Sequence, residues 1–339
     1  MRLMRRWRPA ALILLGLAGM GAGVVHACDL KVADLPVTMS GLRPMVHAKI
    51  NGSDALFIAD SGAFYSSLTS AAATRYQLHL EMAPYERLVG VGGEAQAWVT
   101  TVKTFTLLDD ALSDVGFLVG TAEFGDRAAG LIGQNIFRSV GDVEYDLAHG
   151  LIRLVRTKNC TGVSMAYWAK SQPAYDIDID PASEQFPHTT ARAYLNGTEI
   201  RVMFDTGAGR SILTLAAAKH AGVTPDSAGV NLVGEVHGVG PRSVRTWVAP
   251  FASFRIGNEE VRNTHLLIGD IDIRSAHRSV DMLLGADFFL SHHIYVANSQ
   301  RKLYFTYNGG PVFNLTSSAA AAENATAPPP GPGNEPARP

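Results

Sequence analysis

The chain has 339 residues, 47% hydrophobic and 18% charged, with a formal charge of −2. This is the balance of an ordinary soluble globular protein, long enough for one large domain or two small ones, each with its own core. A mild negative charge gives no electrostatic reason to bind nucleic acid or an anionic membrane.

Residues 1–27 read as an export signal. Arg2, Arg5, Arg6 and Arg8 precede an apolar run from Ala10 to Val25, and Val25-His26-Ala27 offers small residues where a signal peptidase cleaves. The run is short and no stop-transfer segment follows, which favours a removable signal over an uncleaved anchor. Its loss removes four arginines and no acid, so the formal charge moves from −2 to −6. The expected location is exported, periplasmic or secreted, with no membrane span after signal removal. Ala, Gly and Arg usage points to a bacterial periplasm. Of the two cysteines, Cys28 falls at the cleavage point and Cys160 lies far downstream. A disulfide between them is expected of an exported chain with an even cysteine count. The alternative, a lipoprotein anchored through Cys28, is disfavoured because His26 stands where a lipobox has a small residue.

Further along, the chain is written twice. An offset of 145 aligns Ala48–Leu78 with Ala193–Val223 without a gap, pairing Asn51 with Asn196, Asp60 with Asp205, Gly62 with Gly207, Ser66 with Ser211 and Thr69 with Thr214. Likeness that runs through turns as well as apolar positions marks a duplication. Each copy predicts a strand, a type I′ Asn-Gly turn, a second strand, an acidic loop and a short helix. Thr69 and Thr214 are placed to cap those helices. Glycine-tipped hairpins follow, at Gly90-Val91-Gly92-Gly93 before Trp98 and at Gly238-Val239-Gly240 before Trp247. The two tryptophans are read as buttresses of these hairpins. The elements Leu131-Ile132-Gly133 and Leu283-Leu284-Gly285 correspond, and closing strands begin near Val143 and His293.

These boundaries give a first lobe over 28–157, a linker over 158–188, a second lobe over 189–314 and a disordered Pro/Ala-rich tail over 315–339. In the linker, the alternation Tyr175-Asp176-Ile177-Asp178-Ile179-Asp180 predicts an exposed edge strand. As a calcium loop it lacks the turn glycine and the distal Glu. His292-His293 does not suggest a shared metal, because neighbours on a strand face opposite ways. No metal or cofactor is expected, and no serine or cysteine nucleophile has a recognisable constellation.

The duplicated Asp-Ser/Thr-Gly carries the chemistry. A single such tripeptide is an ordinary turn. Two of them, at the same point of a repeated unit, become neighbours if the lobes pack about an approximate two-fold axis. Asp60 and Asp205 would then share one proton, because two adjoining carboxylates do not ionise together cheaply. Such a pair holds an acid and a base on either side of one water, which suits direct hydrolysis of an amide. Gly62 and Gly207 allow the tight backbone, and Ser61 and Thr206 provide hydroxyls to lock the loops or hold the carboxylates.

Together, hydrophobic-Asp-Ser/Thr-Gly-Ala, the glycine-rich hairpins and the hydrophobic-hydrophobic-Gly elements resemble the aspartic peptidases that include retropepsins and pepsins. The resemblance covers nearly all of both lobes and is nearest to a bacterial retropepsin-like protein with both halves fused in one chain. It implies an all-β, bilobal fold of two homologous β-barrel-like lobes with short helices and pseudo-two-fold symmetry. It implies an aspartic endopeptidase, monomeric, with Asp60 and Asp205 catalytic and a peptide or protein substrate bound extended under two flaps, at Gly90, Val91, Gly92 and Gly93 and at Gly238, Val239 and Gly240. Neither flap has the tyrosine of the pepsin flap, and Gly209-Arg210 stands against Phe64-Tyr65, so the two sides of the cleft are expected to differ. The competing reading is an inactive relative that holds peptides or cell-wall fragments in the same cleft.

Overall fold

The computed structural model describes residues 27–90, 92–120, 124, 128–183, 186–236, 240, 242–271, 273–275, 278–313 and 315. The first repeat begins with the strands Arg43–Ile50 and Ser53–Ala59, joined at Asn51-Gly52. Both turn residues have positive φ, 48° and 83°, as do Asn196 and Gly197 at 48° and 80° in the second repeat, the type I′ geometry that Asn-Gly tolerates. The turn asparagines also stitch the hairpins to the next strand. Asn51 N–H donates to the Thr104 carbonyl at 2.8 Å and its Oδ1 accepts from Thr104 N–H, while Asn196 Oδ1 accepts from Ala252 and Ser253 N–H.

That stitching closes each lobe on itself. In the first, Arg43–Ile50 and Ser53–Ala59 are followed around the sheet by Gly130–Ile132, Ser67–Thr69, Asp110–Gly120 and Gly93–Leu107, and the last pairs back to the first through Ala48 and Leu107. The second lobe repeats the order with Thr190–Leu195, Thr198–Phe204, Met282–Leu284, Ile212–Thr214, Glu259–Gly269 and Val244–Ile256, closed by Tyr194 against Arg255. These are the two barrel-like lobes of an all-β, bilobal protein. Alternating side chains point inward, among them Val46, Ile50, Phe57, Phe105 and Phe117, all at most 2% exposed. The rings of Phe57, Phe105 and Phe117 lie within about 6 Å of one another. The helices Ser70–Arg75 and Leu215–His220 follow the acidic loops. Thr69 and Thr214 cap them as expected, accepting from Ala72 N–H at 3.0 Å and Ala217 N–H at 3.1 Å.

A third sheet has no forecast in the sequence. Its six strands run Asp29–Pro36, Leu151–Lys158, Asp142–Asp146, His292–Ala297, Lys302–Tyr307 and Tyr175–Asp178. Three come from the first repeat, two from the second and one from the segment between them. The lobes meet where Val143 pairs with Val296 and Tyr145 with Ile294. Tyr175–Asp178 is an edge strand with Asp176 and Asp178 exposed, as its alternation predicts. Cys28 and Cys160 form a disulfide, which fastens the start of the sheet to the segment that covers its outer face. There Cys160, Met165 and Trp168 pack on Val155, Tyr295 and Ala297. Among the described residues no helix is long and apolar enough to cross a membrane.

Candidate active site

Each acidic loop leaves a strand that runs parallel to the matching Leu-Ile-Gly or Leu-Leu-Gly element. Phe57 to Ala59 lie beside Gly130 to Ile132, and Val202 to Phe204 lie beside Met282 to Leu284. The peptide of each aspartate is anchored to that element, with Asp60 N–H on the Ile132 carbonyl and Asp205 N–H on the Leu284 carbonyl, both at 2.9 Å. Both loops therefore start from the same place in equivalent barrels and meet at the junction of the lobes.

Asp60 and Asp205 come together there, and their carboxyls hydrogen-bond to each other. How close they lie is shown by their glycines. A Cβ on Gly62 would fall 2.2 Å from Asp205 Cγ, and one on Gly207 would fall 2.2 Å from Asp60 Cγ. Only glycine leaves the space that the opposite carboxyl occupies. Burial raises both acids above the ordinary aspartate range, and for Asp60 the charge of Asp205 adds to it. Backbone donors oppose the rise. Asp60 Oδ1 accepts from Gly62 and Ala63 N–H, each at 2.9 Å, and Asp205 Oδ1 accepts from Gly207 and Ala208 N–H at 2.9 and 3.1 Å. Facing carboxyls with so much raising the proton affinity of the pair hold one proton between them.

Ser61 and Thr206 do lock the loops, and they do so reciprocally. Ser61 Oγ donates to the Phe204 carbonyl and accepts from Thr206 N–H, both at 2.9 Å. Thr206 Oγ1 donates to the Ala59 carbonyl at 2.6 Å and accepts from Ser61 N–H at 2.9 Å. All four bonds are buried and cross between the lobes. Of the two roles open to these hydroxyls in the sequence, this is the one their hydrogen bonds make; the carboxylate oxygens are held by backbone N–H groups instead.

Beneath the loops, a third residue in each copy was not singled out from sequence. Ser66 Oγ donates to Asn135 Oδ1 and accepts from Gly133 N–H. Ser211 Oγ donates to Asp287 Oδ1 at 2.7 Å and accepts from Gly285 N–H at 3.0 Å. The repeat alignment pairs Ser66 with Ser211, which is the signal that could have found them. Asp287 differs from Asn135 in chemistry: its Oδ2 is buried without a partner, and burial pushes its carboxyl up to about 6. Tyr145, also unforeseen, is buried on the strand Asp142–Asp146, and burial holds its hydroxyl above the usual tyrosine range, with the charge of Asp60 adding to the rise.

Of the expected flap residues, Val91, Gly238 and Val239 lie outside the described residues. Gly90 and Gly93 close the first hairpin as a pair. Gly92 meets the second hairpin: a Cβ on Gly240 would fall 2.2 Å from its carbonyl carbon, and its carbonyl accepts from Arg242 N–H at 3.1 Å. The hairpins thus touch at their tips. Trp98 and Trp247 hold matching places, partly buried against the core and opposite Met82 and Leu232 of the outer hairpin strands. His292 and His293 face opposite ways, His292 to Glu259 and His293 to Glu144, with the His293 ring stacked on Trp168 at 4.1 Å.

Two closed β lobes bring a pair of Asp-Ser/Thr-Gly loops into a shared, cross-braced junction with the two aspartates facing each other. The model of the aspartyl protease family matches residues 46–136 and 191–288, one segment in each lobe and together more than half of the chain. The chain belongs to that family. Among solved structures it is similar to a retropepsin-like aspartic protease from Rickettsia conorii, with 18% identity over 39% of this chain and 95% of that one and a TM-score of 0.30. Basic 7S globulin from soybean is matched with 11% identity over 83% and 95% of the two chains and a TM-score of 0.42. The EIAV protease, solved with the inhibitor HBY-793, is matched with 23% identity over 29% and 86% and a TM-score of 0.25. No curated protein matches.

Proposed function

We propose that this protein is an exported aspartic endopeptidase, with Asp60 and Asp205 as its catalytic pair. The observation that carries the reading is the mutual contact of two buried carboxyls, each wedged against the other loop's glycine. A water held between them loses a proton to the ionised carboxylate as its oxygen attacks the peptide carbonyl carbon, while the protonated partner gives its proton to the carbonyl oxygen. Collapse of the tetrahedral intermediate breaks the C–N bond, the leaving nitrogen takes the dyad's proton, and one of the intermediate's hydroxyls returns a proton to the dyad as the new carbonyl forms. The cross-lobe hydroxyls keep both carboxyls in register through these transfers, so little reorganisation is needed as charge moves. An extended peptide lies under the two hairpins, which supply backbone pairing to its main chain. The protein works as a monomer, since one chain carries both halves of the site.

The test is digestion of a peptide library at several pH values by wild type, Asp60→Asn and Asp205→Asn, beside inhibition by a statine-type peptide. Cleavage by wild type alone, with the statine peptide bound at least about 100-fold more tightly than a matched substrate peptide, is the expected result. Peptide binding without cleavage at any pH would replace this reading with that of a binding protein.

A further inference from the structure

The face of the six-stranded sheet turned away from the barrels carries a second site. Successive residues of a strand point to opposite faces. On Asp142–Asp146 the Tyr145 ring therefore goes to the barrel side, where it packs on Phe137 and Phe289, while Glu144 and Asp146 go to the other. There a cleft of about 900 Å³ opens, lined by both lobes and by the segment between them, with Asp146, His149, Arg153, Trp168, Leu290 and His293 in its walls. A volume of that size holds a small organic ligand. No residue of either acidic loop borders it.

The hydrogen bonds at the floor of the cleft decide what it can receive. Glu144, wholly buried, accepts from the Arg153 guanidinium, the Tyr167 hydroxyl and His293 Nε2, the last at 2.6 Å. Arg153 also pairs with Asp34 at 3.2 Å, so one guanidinium serves two carboxylates. His149 Nδ1 lies 2.6 Å from Asp146 Oδ1. Each imidazole directs a proton at a carboxylate, because two acceptors do not approach so closely without one between them. A neutral imidazole has a single N–H, so its other nitrogen is an acceptor. His293 Nδ1 then faces Asp146 Oδ2 at 3.7 Å, beyond hydrogen-bond reach, as two acceptors with no donor between them.

The charges point the same way. The carboxylates of Asp34, Glu144 and Asp146 stand against the guanidinium of Arg153, a surplus that repels anions and attracts a cation. Among the described residues no group of three His, Cys, Asp or Glu side chains is arranged to hold a metal ion. An organic cation answers the same demand. A primary ammonium has three N–H donors and no acceptor, so it can bridge Asp146 Oδ2 and His293 Nδ1 together. Trp168 is held beside these acceptors, stacked on His293 at 4.1 Å with its Nε1–H given to Thr306 Oγ1 at 2.9 Å. Its indole and the Leu290 side chain form an apolar wall along which an alkyl stem can lie, and the ring's π-system adds attraction for the cation. We propose that this cleft binds a primary alkylammonium group, carried by a free amine or by a lysine side chain, between Asp146, His293 and Trp168.

The experiment is an NMR titration of full-length protein labelled with 15N tryptophan, at about pH 8, where an alkylamine is charged and a free imidazole is neutral. The titrants are pentylamine, 1-pentanol and pentanoate, which share a stem and differ in charge. Pentylamine is expected to move the Trp168 indole signal and leave those of Trp98 and Trp247 in place. The alcohol and the carboxylate are expected to bind at least about 10-fold more weakly, the equivalent of one charge-assisted hydrogen bond. Asp146→Asn should weaken pentylamine by a similar factor, and Asp60→Asn should leave its affinity unchanged. A capped Gly-Lys-Gly peptide separates the two sources: binding tighter than pentylamine assigns the site to a lysine side chain, and weaker binding assigns it to a free amine. A Trp168 signal that pentylamine does not move overturns the proposal, as does equal binding of pentylamine and 1-pentanol. If Asp146→Asn does not fold, the three wild-type titrations decide. The titration needs no turnover, so a protein that binds the amine and cleaves nothing keeps this site while losing the peptidase reading.

Discussion

Loops 60–66 and 205–211 agree in every bond that holds an aspartate and differ in the layer just outside. Both acids accept from the N–H groups two and three residues on, both hydroxyls cross to the opposite loop, and both lower serines hold the same pair of partners. Beyond that, Asn135 faces Asp287, Gln134 reaches the Ser61 carbonyl where Ala286 has no side chain to do so, and His188 stands where the other copy has Arg43. Groups that must meet at the approximate two-fold axis are bound by its geometry, because each is the other's partner. Groups one step away meet different neighbours and are free to diverge, which leaves a symmetric pair of acids in an asymmetric setting.

The comparison breaks most visibly at the acids themselves. Asp60→Asn and Asp205→Asn are each expected to lower peptide cleavage by about 10⁴-fold, and equally, since either removes the shared proton chemistry; thermal melting should confirm that both variants fold. Next come the crossed hydroxyls. Ser61→Ala and Thr206→Ala each leave a buried carbonyl and a buried N–H unpaired, and each should cost about 2–4 kcal/mol in denaturant unfolding. The glycines follow. Gly62→Ala and Gly207→Ala put a methyl where the facing carboxyl lies, with an expected loss of about 1–3 kcal/mol and a widened dyad that hydrolyses poorly.

The smallest effect sharpens the difference between the copies. Asp287 titrates at about 6 in the folded protein, above its unfolded value. Between about pH 4 and 6 the native state therefore binds more protons than the unfolded state, and stability falls as pH rises through that window. Asp287→Asn, which copies Asn135, should remove this fall and gain about 1–2 kcal/mol at pH 7 relative to pH 4. Asn135→Asp should introduce a similar fall in the first lobe. His188, lowered to about 4 when folded, contributes the opposite slope up to its unfolded value near 6.5. The Asp287 contribution is consequently read as the difference between variant and wild-type curves of stability against pH.

Much of this was legible in the sequence because it is local. Asn51-Gly52 and Asn196-Gly197 demand their turns, Thr69 and Thr214 cap the alanine runs they precede, and the repeat itself places Asp60 against Asp205. Cys28 and Cys160 were paired by count and compartment. The six-stranded sheet was not legible, since its strands are drawn from three distant parts of the chain and their register depends on pairings such as Val143 with Val296. For the same reason Tyr145 read only as the start of a strand, and His188 as linker. Tyr145 pairs with Ile294 and packs on Phe289 of the other lobe, and the His188 ring meets Phe64 across the junction; no short-range pattern records either contact. Asp287 lay within a motif already matched, where its difference from Asn135 had no visible consequence until both were seen against a buried serine.

The measurement that bears most directly on the shared proton is the pH titration of the Asp60 and Asp205 carboxyl carbons in the wild-type protein. Two resolved steps separated by more than about one pH unit, with the upper one above the ordinary aspartate range, are the predicted result. Both carbons titrating together near the value of a free aspartate would mean that the two acids do not share a proton.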